Sequence, residues 1–375
     1  MTEITKVECW VLRAPVAKAV ATSFGIMTSR PAVFLRVSAA DGAWGWGEVF
    51  CNFPQVGAEH RARLVDSMFA PLLKGRPSDD APRLRRELES QTRRVAIQCG
   101  EPGPFAQIIS AIDQALWDMA GRRAGVPLWR LLAPDGGTAG NRVHLYASGL
   151  GPKDVAVNAA RKRDEGYDAF KFKVGFGSDQ DITNFAEIRA ALGEDATIMV
   201  DANQAWEHGT AAARIAELAP YHPQWVEEPL AADEPAAAWQ RLARDCGAPL
   251  AGGENLRGLD AFEQALAGGW FSFIQPDVAK WGGISECREV ALLARRHGAV
   301  FCPHWLGGGI GLAASLQLRA AMGAEGFAEV DANPNPLREE VFPLAPQDGW
   351  VSLGDAPGLG VEPDLVRLKP YLTTY

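Results

Sequence analysis

The most regular feature of the sequence is a series of short apolar runs, each ending in polar or charged residues and then Gly, Pro or Asn. Four consecutive runs stand at residues 169–175, 197–203, 224–229 and 251–255. Runs of this kind are typical of buried parallel strands that are followed by functional loops. They recur at intervals of roughly 25 residues, about the length of one strand–helix unit in a (β/α)8 barrel.

Four further runs extend this repeat in both directions. Residues 143–147 are the expected first barrel strand, and residues 271–275, 300–302 and 327–329 are the expected sixth, seventh and eighth strands. Ala-rich helical patterns lie between the strands, for example at 210–218 and 286–296. The pattern predicts an α/β fold with a TIM-like (β/α)8 barrel over residues 126–355.

Residues 1–125 follow a different pattern, with strands first and helices afterwards. Strands are predicted at 7–12, 32–37 and 44–49, with a turn at Asp41-Gly42, and helices at 59–73 and 105–123. This order indicates an α+β domain that caps the barrel. The polar, small-residue stretch 19–30 is predicted to be a loop. The tail, residues 356–375, is expected to return to this first domain.

Composition narrows the classes of partner. The chain of 375 residues is long enough for a large barrel and a smaller domain. Its net charge of −9 argues against nucleic acid or an anionic membrane as a partner. The six cysteines include no CxxC pair, which favours reduced thiols and a cytoplasmic location. No signal peptide or membrane span is expected. A small-molecule ligand is therefore the expected partner.

Three acids end three consecutive predicted strands: Asp201, Glu227 and Glu254. A lone acid is most often a surface or salt-bridged residue. Equivalent places on neighbouring barrel strands, however, would bring these carboxylates to one point. Hard oxygen ligands without Cys or His suit Mg2+, which we therefore expect as the cofactor.

Two lysines, Lys171 and Lys173, are two residues apart on one strand, so both side chains face the same way. Neighbouring buried ammonium groups lower each other's pKa, and a divalent cation lowers it further. One lysine could thus be neutral near pH 7 and act as a general base. The alternative is a solvated lysine pair on an edge strand, although the interleaved Phe170 and Phe172 disfavour it.

Asp277 and His304 end the next two predicted strands. A carboxylate that binds one imidazole nitrogen fixes the tautomer and leaves the other nitrogen to move protons. Asn203, Lys280 and Glu329 also lie at or beyond strand ends and are candidate substrate contacts.

The segment at residues 309–314 fits a loose GxGxxA dinucleotide fingerprint. Because it follows the seventh strand and not an initial βαβ unit, a Rossmann site is rejected. A glycine-rich turn that opens a helix still offers backbone N–H groups to an anion, such as a distal carboxylate of the substrate.

Together these residues suit removal of a proton next to a carboxylate, with a divalent ion stabilising the resulting enediolate. Lys173 and His304 would then flank the α-carbon from opposite faces. This set resembles the enolase superfamily, specifically its mandelate racemase subgroup. The likeness covers essentially the whole chain, including the motifs at residues 115–118, 226–229 and 253–255.

The resemblance implies Mg2+ on Asp201, Glu227 and Glu254. It implies Lys173 as one acid/base, Lys171 as its electrostatic partner, and the His304–Asp277 dyad as the other acid/base. Glu329 matches, more loosely because Glu325 is close by, an acid that hydrogen-bonds a substrate carboxylate. Selectivity would come from capping loops at about 15–30, which include the candidate substrate ligand Arg30, and at 51–55.

The resemblance favours dehydration of an aldonic or aldaric acid to a 2-keto-3-deoxy acid. Alternatives are a racemase or epimerase of a 2-hydroxy acid and a cycloisomerase that opens a sugar lactone. A catalytically silent sugar-acid binder and an unrelated metal-dependent aldolase are weaker alternatives. A homo-oligomer is expected from the resemblance alone.

Overall fold

The chain begins with a long antiparallel hairpin in the computed structural model, which describes residues 2–22, 25–134 and 139–375. Strands β1 (Ile4–Thr22) and β2 (Gly25–Ala39) form the hairpin, and β3 (Trp44–Val49) pairs with β2. The predicted turn joins β2 to β3, where Gly42 has a φ of 84° that glycine adopts without strain. The three predicted strands are present; β1 and β2 are longer than expected, and β3 has the predicted bounds.

The prediction of a loop at residues 19–30 is wrong. The hairpin continues through the pairs Val20–Met27 and Thr22–Gly25, after an irregularity between Pro15 and Val20. Each strand supplies the other's hydrogen-bond partners, and local composition cannot reveal such pairing. Residues 23 and 24 of the predicted capping loop lie outside the described residues.

Among the described residues, four helices complete the first unit and a fifth packs in the core of the barrel. They are α1 (Gly57–Leu64), α2 (Ala70–Leu73), α3 (Ala81–Gln98), α4 (Pro102–Ala124) and α5 (Leu128–Leu132), with a π-helical turn at Val65–Phe69 before α2. The helices predicted at 59–73 and 105–123 are therefore present. Helix α3 was not predicted, because charged residues dominate its sequence. Its buried Leu84, Leu88, Thr92 and Ala96 nevertheless recur every four residues, the spacing of one helix face.

Strand β3 packs directly on the backbone of α4. A Cβ atom at Gly45 or Gly47 would overlap the carbonyl oxygens of Ala115 and Ala111. The alternating glycines therefore allow a close strand–helix contact, in which the backbone N–H of Glu48 donates to Gln114 Oε1 of α4 at 3.1 Å.

Eight parallel strands alternate with helices in the second unit. The strands are β4 (Arg142–Leu150), β5 (Ala169–Lys173), β6 (Thr197–Asp201), β7 (Val226–Glu227), β8 (Leu250–Gly252), β9 (Phe273–Ile274), β10 (Val300–Phe301) and β11 (Phe327–Asp331). The helices between them are α6 (Val155–Asp164), α7 (Ser178–Leu192), α8 (His208–Leu218), α9 (Ala236–Asp245), α10 (Leu259–Ala267), α11 (Gly283–His297) and α12 (Gly309–Ala321), with a 3-10 turn at Ala219–Tyr221.

The eight strands form a nearly closed barrel. They are ordered β10-β9-β8-β7-β6-β5-β4-β11, so within the described residues the ladder is open only between β10 and β11. All eight predicted strands are present, and the predicted fold class is confirmed.

The tail reconnects the two units. Helix α13 (Pro336–Glu339) is followed by β12 (Trp350–Ser352), which pairs with β4, by a 3-10 turn at Lys369–Tyr371, and by β13 (Leu372–Thr373). Strand β13 pairs with β1 and completes a four-stranded antiparallel sheet in the capping unit. The predicted return of the tail is thus present. None of the helices in the described ranges has the length and apolarity that crossing a membrane requires.

Arg30 joins the capping hairpin to the end of the eighth barrel strand. Its guanidinium donates to Asp331 Oδ2 at 2.6 Å and to the Pro334 carbonyl at 3.3 Å, and both charged side chains are buried. The candidate substrate ligand Arg30 is therefore engaged in an ion pair between the two units.

Replacing Arg30 by Met should destabilise the protein by about 3 kcal/mol or more, because it leaves Asp331 buried without its nearest cation. Chemical denaturation measures this loss. The matched control is Arg83→Met, which breaks an exposed pair with Glu87 and should cost less than about 1 kcal/mol. Equal, small losses in the two variants would contradict the assignment of Arg30 to the junction.

Candidate active site

The barrel interior is built from two successive rings of side chains. The lower ring is mainly apolar and consists of Tyr146, Ala169, Met199, Trp225, Ala251, Phe273 and Cys302. A residue two places further along a strand points the same way. Those places hold Ser148, Lys171, Asp201, Glu227, Gly253, Gln275 and His304, and Glu329 follows Phe327 in the same manner. Because side chains two residues apart on a strand point the same way, a polar ring lies directly above the apolar ring. The polar ring is the one at the carboxyl ends of the strands.

Lys171 is the buried cation at the centre of this ring. Its Nζ lies 2.5 Å from Glu227 Oε1, 2.9 Å from Glu329 Oε1 and 3.9 Å from Asp201 Oδ2. Burial alone would lower the pKa of Lys171, but Glu227 and Glu329 raise it well above its ordinary value. Lys171 is thus held as a permanent positive charge.

Lys173 stands one layer higher and binds Asp201, with 2.5 Å between its Nζ and Oδ2. Burial lowers the pKa of Lys173, but Asp201 raises it above the ordinary value, against the opposing effect of Lys171. This differs from the expectation of a lysine that is neutral near pH 7. The reason is that the nearby carboxylate outweighs the repulsion between the two ammonium groups. Asn203 donates to Asp201 from its backbone N and its Nδ2, at 2.8 and 3.1 Å.

The structure brings Asp277 and His304 together. Asp277 Oδ2 lies 2.6 Å from His304 Nδ1, and Asp277 Oδ1 accepts from the backbone N–H groups of Ala279 and Lys280. His304 Nε2 points at Glu254 Oε2, 2.8 Å away. Burial lowers the pKa of His304, but Glu254, Glu329 and Asp277 raise it well above its ordinary value.

Lys173 and His304 stand on different sides of the barrel mouth. Their strands, β5 and β10, are separated by four strands in one direction and by two in the other. Glu329 lies between His304 and Lys171, the other lysine of β5, because it binds Lys171 and approaches His304 Nε2 to 3.8 Å. Ser148 and the backbone N–H of Trp305 also donate to Glu329.

The three predicted metal ligands lie close together, but each of them already binds a basic side chain of the protein. Asp201 and Glu227 are register partners on β6 and β7, and Glu254 follows β8. Asp201 binds Lys173, Glu227 binds Lys171, and Glu254 binds Lys280 and His304. In the ranges that the structure describes, no three acidic, Cys or His side chains are arranged as a metal cluster. Each candidate ligand is instead turned toward an amine or an imidazole.

The charge of the site nevertheless fits a divalent cation. Six carboxyl groups face three lysines and one imidazole, the carboxyl groups being Asp201, Glu227, Glu228, Glu254, Asp277 and Glu329 and the basic groups Lys171, Lys173, Lys280 and His304. Burial raises the pKa of Glu227 to about 7, and repulsion from Asp201 and the other acids adds to it. Hard oxygen donors with excess negative charge suit Mg2+. Asp201, Glu227 and Glu254 are therefore chemically suited to hold it.

Two functional candidates were missed from the sequence. Glu228, next to Glu227, accepts from Asn255 Nδ2 at 2.8 and 3.0 Å and has a left-handed φ of 40°. Burial and the nearby Glu254 raise the pKa of Glu228 to about 8. The sequence feature that points to Glu228 is the pair of adjacent acids, Glu227 and Glu228, directly before Pro229.

The second missed residue is Glu48. The glycine-rich turn before α12 was expected to offer its N–H groups to a substrate carboxylate. The structure places the chain's own Glu48 there, which accepts from Gly308 N at 2.5 Å and from Gly311 N at 2.9 Å. A buried acid on a strand of Gly and Trp residues was the available signal. Glu48 thus ties the capping unit to the segment that follows His304.

Comparison with known proteins agrees with this arrangement. The N-terminal domain model of mandelate racemase/muconate lactonizing enzyme matches residues 2–133, and the enolase C-terminal domain-like model matches residues 154–367. The chain belongs to this family of the enolase superfamily. A D-galactarolactone cycloisomerase from Agrobacterium fabrum is 34% identical over 350 residues, which are 89% of each chain.

Solved structures of family members are also similar. A mandelate racemase/muconate lactonizing enzyme from Bordetella bronchiseptica RB50 is 47% identical, with a TM-score of 0.92 and 99% of both chains covered. A mutant L-talarate/galactarate dehydratase liganded with Mg and L-glucarate is 27% identical, with a TM-score of 0.87 and coverage of 100% of this chain and 92% of that one. Enolase-superfamily enzymes use Mg2+, and that relative holds magnesium.

Glu48 should give the protein a characteristic pH dependence. Burial raises the pKa of Glu48 to about 7, although the N–H groups of Gly311 and Gly308 oppose this. Between pH 4.5 and about 7 the folded state keeps a proton that the unfolded state has lost. The free energy of unfolding therefore falls as pH rises through this window, by at most about 1.4 kcal/mol per pH unit for one proton.

Chemical denaturation across pH 5–8 measures the free energy of unfolding of the native protein and of Glu48→Gln. The difference between the two should change with pH up to about pH 7 and stay constant above it. Glu59→Gln is the control. Arg13 lowers the pKa of Glu59, so the stability that Glu59 contributes is present above pH 4.5 and is lost only in acid. A Glu48 difference that is level from pH 5 to 7 would refute the shifted pKa.

Proposed function

We propose that this enzyme removes the α-proton of an acid sugar and expels the β-hydroxyl group, which gives a 2-keto-3-deoxy acid. The observation that carries the proposal is the placement of Lys173 and His304 on two sides of one cluster of carboxylates. Two proton-transfer groups facing one space suit a reaction that takes a proton from one carbon and gives a proton to the neighbouring oxygen.

The metal site comprises Asp201, Glu227 and Glu254. Mg2+, when bound, supplies positive charge next to the substrate carboxylate and so stabilises the charge that proton removal creates there. Lys171 adds a fixed positive charge beside the same position, since it is bonded to Glu227 and Glu329.

Lys173 is the proposed base. An amine accepts a proton only when it is neutral, and the adjacent charge of Lys171 favours that neutral form. The protonated Lys173 contacts Asp201 in the structure; when that carboxylate is engaged elsewhere, the ammonium group gives its proton to solvent and becomes the neutral base. The C–H bond then breaks, and its proton passes to Lys173 Nζ.

His304 is the proposed acid. Asp277 holds Nδ1, so Nε2 faces the site, and the raised pKa keeps the imidazole protonated near neutral pH. As the C–O bond at the β-carbon breaks, His304 Nε2 gives its proton to the departing hydroxyl, which leaves as water. The electron pair of the former C–H bond forms the double bond of an enol, which becomes the 2-keto product.

Cycloisomerisation is the second candidate, because a relative with that activity is 34% identical along most of the chain. The first proton transfer is the same, but the leaving group is the ring oxygen of a lactone. Racemisation or epimerisation uses the same two groups when Lys173 and His304 exchange protons at a single carbon.

A panel of aldonic acids, aldaric acids and their lactones separates these reactions. Ketone product from open-chain acids, detected with semicarbazide, supports dehydration, and ketone from lactones alone supports cycloisomerisation. Exchange of the α-proton in D2O without ketone indicates racemisation. No ketone and no exchange with any acid that binds would contradict an enzymatic role.

Replacing Lys173 and replacing His304 should affect α-proton exchange and ketone formation differently. Lys173→Ala should lose both α-proton exchange and ketone formation by at least about 100-fold. His304→Asn should lose ketone formation but keep exchange, because the base remains. NMR in D2O measures exchange, and absorbance of the semicarbazone measures product.

The matched control is His144→Asn, which breaks a second His–Asp pair, with Asp168, at the start of β4. It should leave both readouts within a few-fold of the native values. Loss of exchange in His304→Asn with retention in Lys173→Ala would reverse the two roles.

Magnesium should bind through the acid cluster and stabilise the protein. At one hundred times its dissociation constant, Mg2+ should raise the free energy of unfolding by about 2.7 kcal/mol, and EDTA should remove the gain. Thermal unfolding with and without Mg2+ measures this. Asp201→Asn should abolish the response, while Asp168→Asn should retain it. A similar response in both variants would place the metal elsewhere.

A further inference from the structure

A buried guanidinium lies at the end of the barrel opposite the candidate active site. Arg319, in the last turn of α12, is only 2% exposed. It lines a cavity of about 290 Å³ together with Arg295, Phe301 and Glu325. The cavity lies where β10 begins, at Val300, whereas Lys173 and His304 stand at the carboxyl ends of their strands.

One nitrogen of the buried Arg319 guanidinium has no hydrogen-bond partner among the described residues. This nitrogen, Nη2, is itself buried. The guanidinium carbon lies 5.9 Å from the centre of the Phe301 ring, and Glu325 acts on Arg319 only through longer-range attraction. Burial lowers the pKa of Arg319, although an arginine stays protonated in proteins.

A buried charge without a partner is costly, so native structures normally pair it. Arg319 lies near the C-terminus of α12, where the helix dipole favours a cation, but that effect is small beside the cost of burying an ion. Arg295, at the cavity rim, adds a second guanidinium. Among the described residues that line the cavity, two cations face the single carboxylate of Glu325, so this lining carries excess positive charge.

We propose that this cavity binds a small oxyanion, a phosphate or a carboxylate, through Arg319. Arg319 lines the cavity, and a planar guanidinium can give two parallel N–H groups to two oxygens of such a group. The site is separate from the acid-sugar reaction and does not depend on it.

Thermal unfolding of the native protein in increasing inorganic phosphate, against sodium chloride of equal ionic strength, tests the proposal. The melting temperature should rise with phosphate alone. Arg319→Met should abolish the phosphate response and be at least as stable as the native protein in phosphate-free buffer, because the uncompensated charge is gone. Arg319→Lys keeps the charge but not the planar fork, and should bind phosphate at least tenfold more weakly.

The matched control is Arg189→Met. Arg189 is also buried, but its guanidinium donates to the carbonyl groups of Gly193, Glu194, Ala196 and Tyr221. This variant should lose stability yet keep the full phosphate response. Parallel titrations with sulfate and acetate distinguish inorganic oxyanions from carboxylates, and a response to any of the three that Arg319→Met lacks supports the site.

Two results would overturn the proposal. One is a melting temperature that follows ionic strength alone for all three anions, or an equal response in Arg319→Met. The other is stability that rises with protein concentration and not with anion concentration, which would identify an acid of a second copy as the partner of Arg319.

Discussion

Repulsion among carboxylates at the barrel mouth is the constraint on which this structure depends. Four carboxylates lie close together: Asp201, Glu227, Glu254 and Glu329. They do so because each stands within or just after the carboxyl end of a barrel strand, and buried cations offset their charge. Lys171 is shared by three of these acids, and His304 by two. The six carboxyl groups of the site still outnumber its four basic groups, and burial, together with repulsion from the neighbouring acids, raises the pKa of Glu227 to about 7. A site with that imbalance is prepared to take up a divalent cation.

The capping unit takes part in this arrangement through its own charged residues. Glu48 binds the turn that follows His304, and Arg30 binds Asp331, two residues beyond Glu329. Both contacts reach the seventh and eighth strands, which carry the proposed acid and its neighbour. The position of the capping unit is thus coupled to the side of the barrel on which His304 stands, while Lys173 is held by Asp201 within the barrel itself.

The sequence predicts much of the barrel because its signals are local. Apolar runs that end in Lys173, Asp201 or Glu227 mark both the strand and the place where its side chains enter the site. Features that depend on a residue far away in the sequence cannot be predicted from such local patterns. The extended hairpin rests on cross-strand pairing between Val20 and Met27, and the engagement of Arg30 rests on Asp331, 301 residues away. The direction of the Lys173 pKa shift depends likewise on Asp201, whose distance no strand pattern supplies.

The most direct test of the account is a crystal structure with Mg2+ and an acid sugar that cannot react, such as one lacking the β-hydroxyl group. In that structure Asp201, Glu227 and Glu254 should all contact the ion, and Lys173 should no longer bind Asp201. The α-carbon should lie between Lys173 Nζ and His304 Nε2, each about 3–3.5 Å from the atom with which it exchanges a proton. An ion held by other residues, or a ligand with both groups on one face of its α-carbon, would contradict this account.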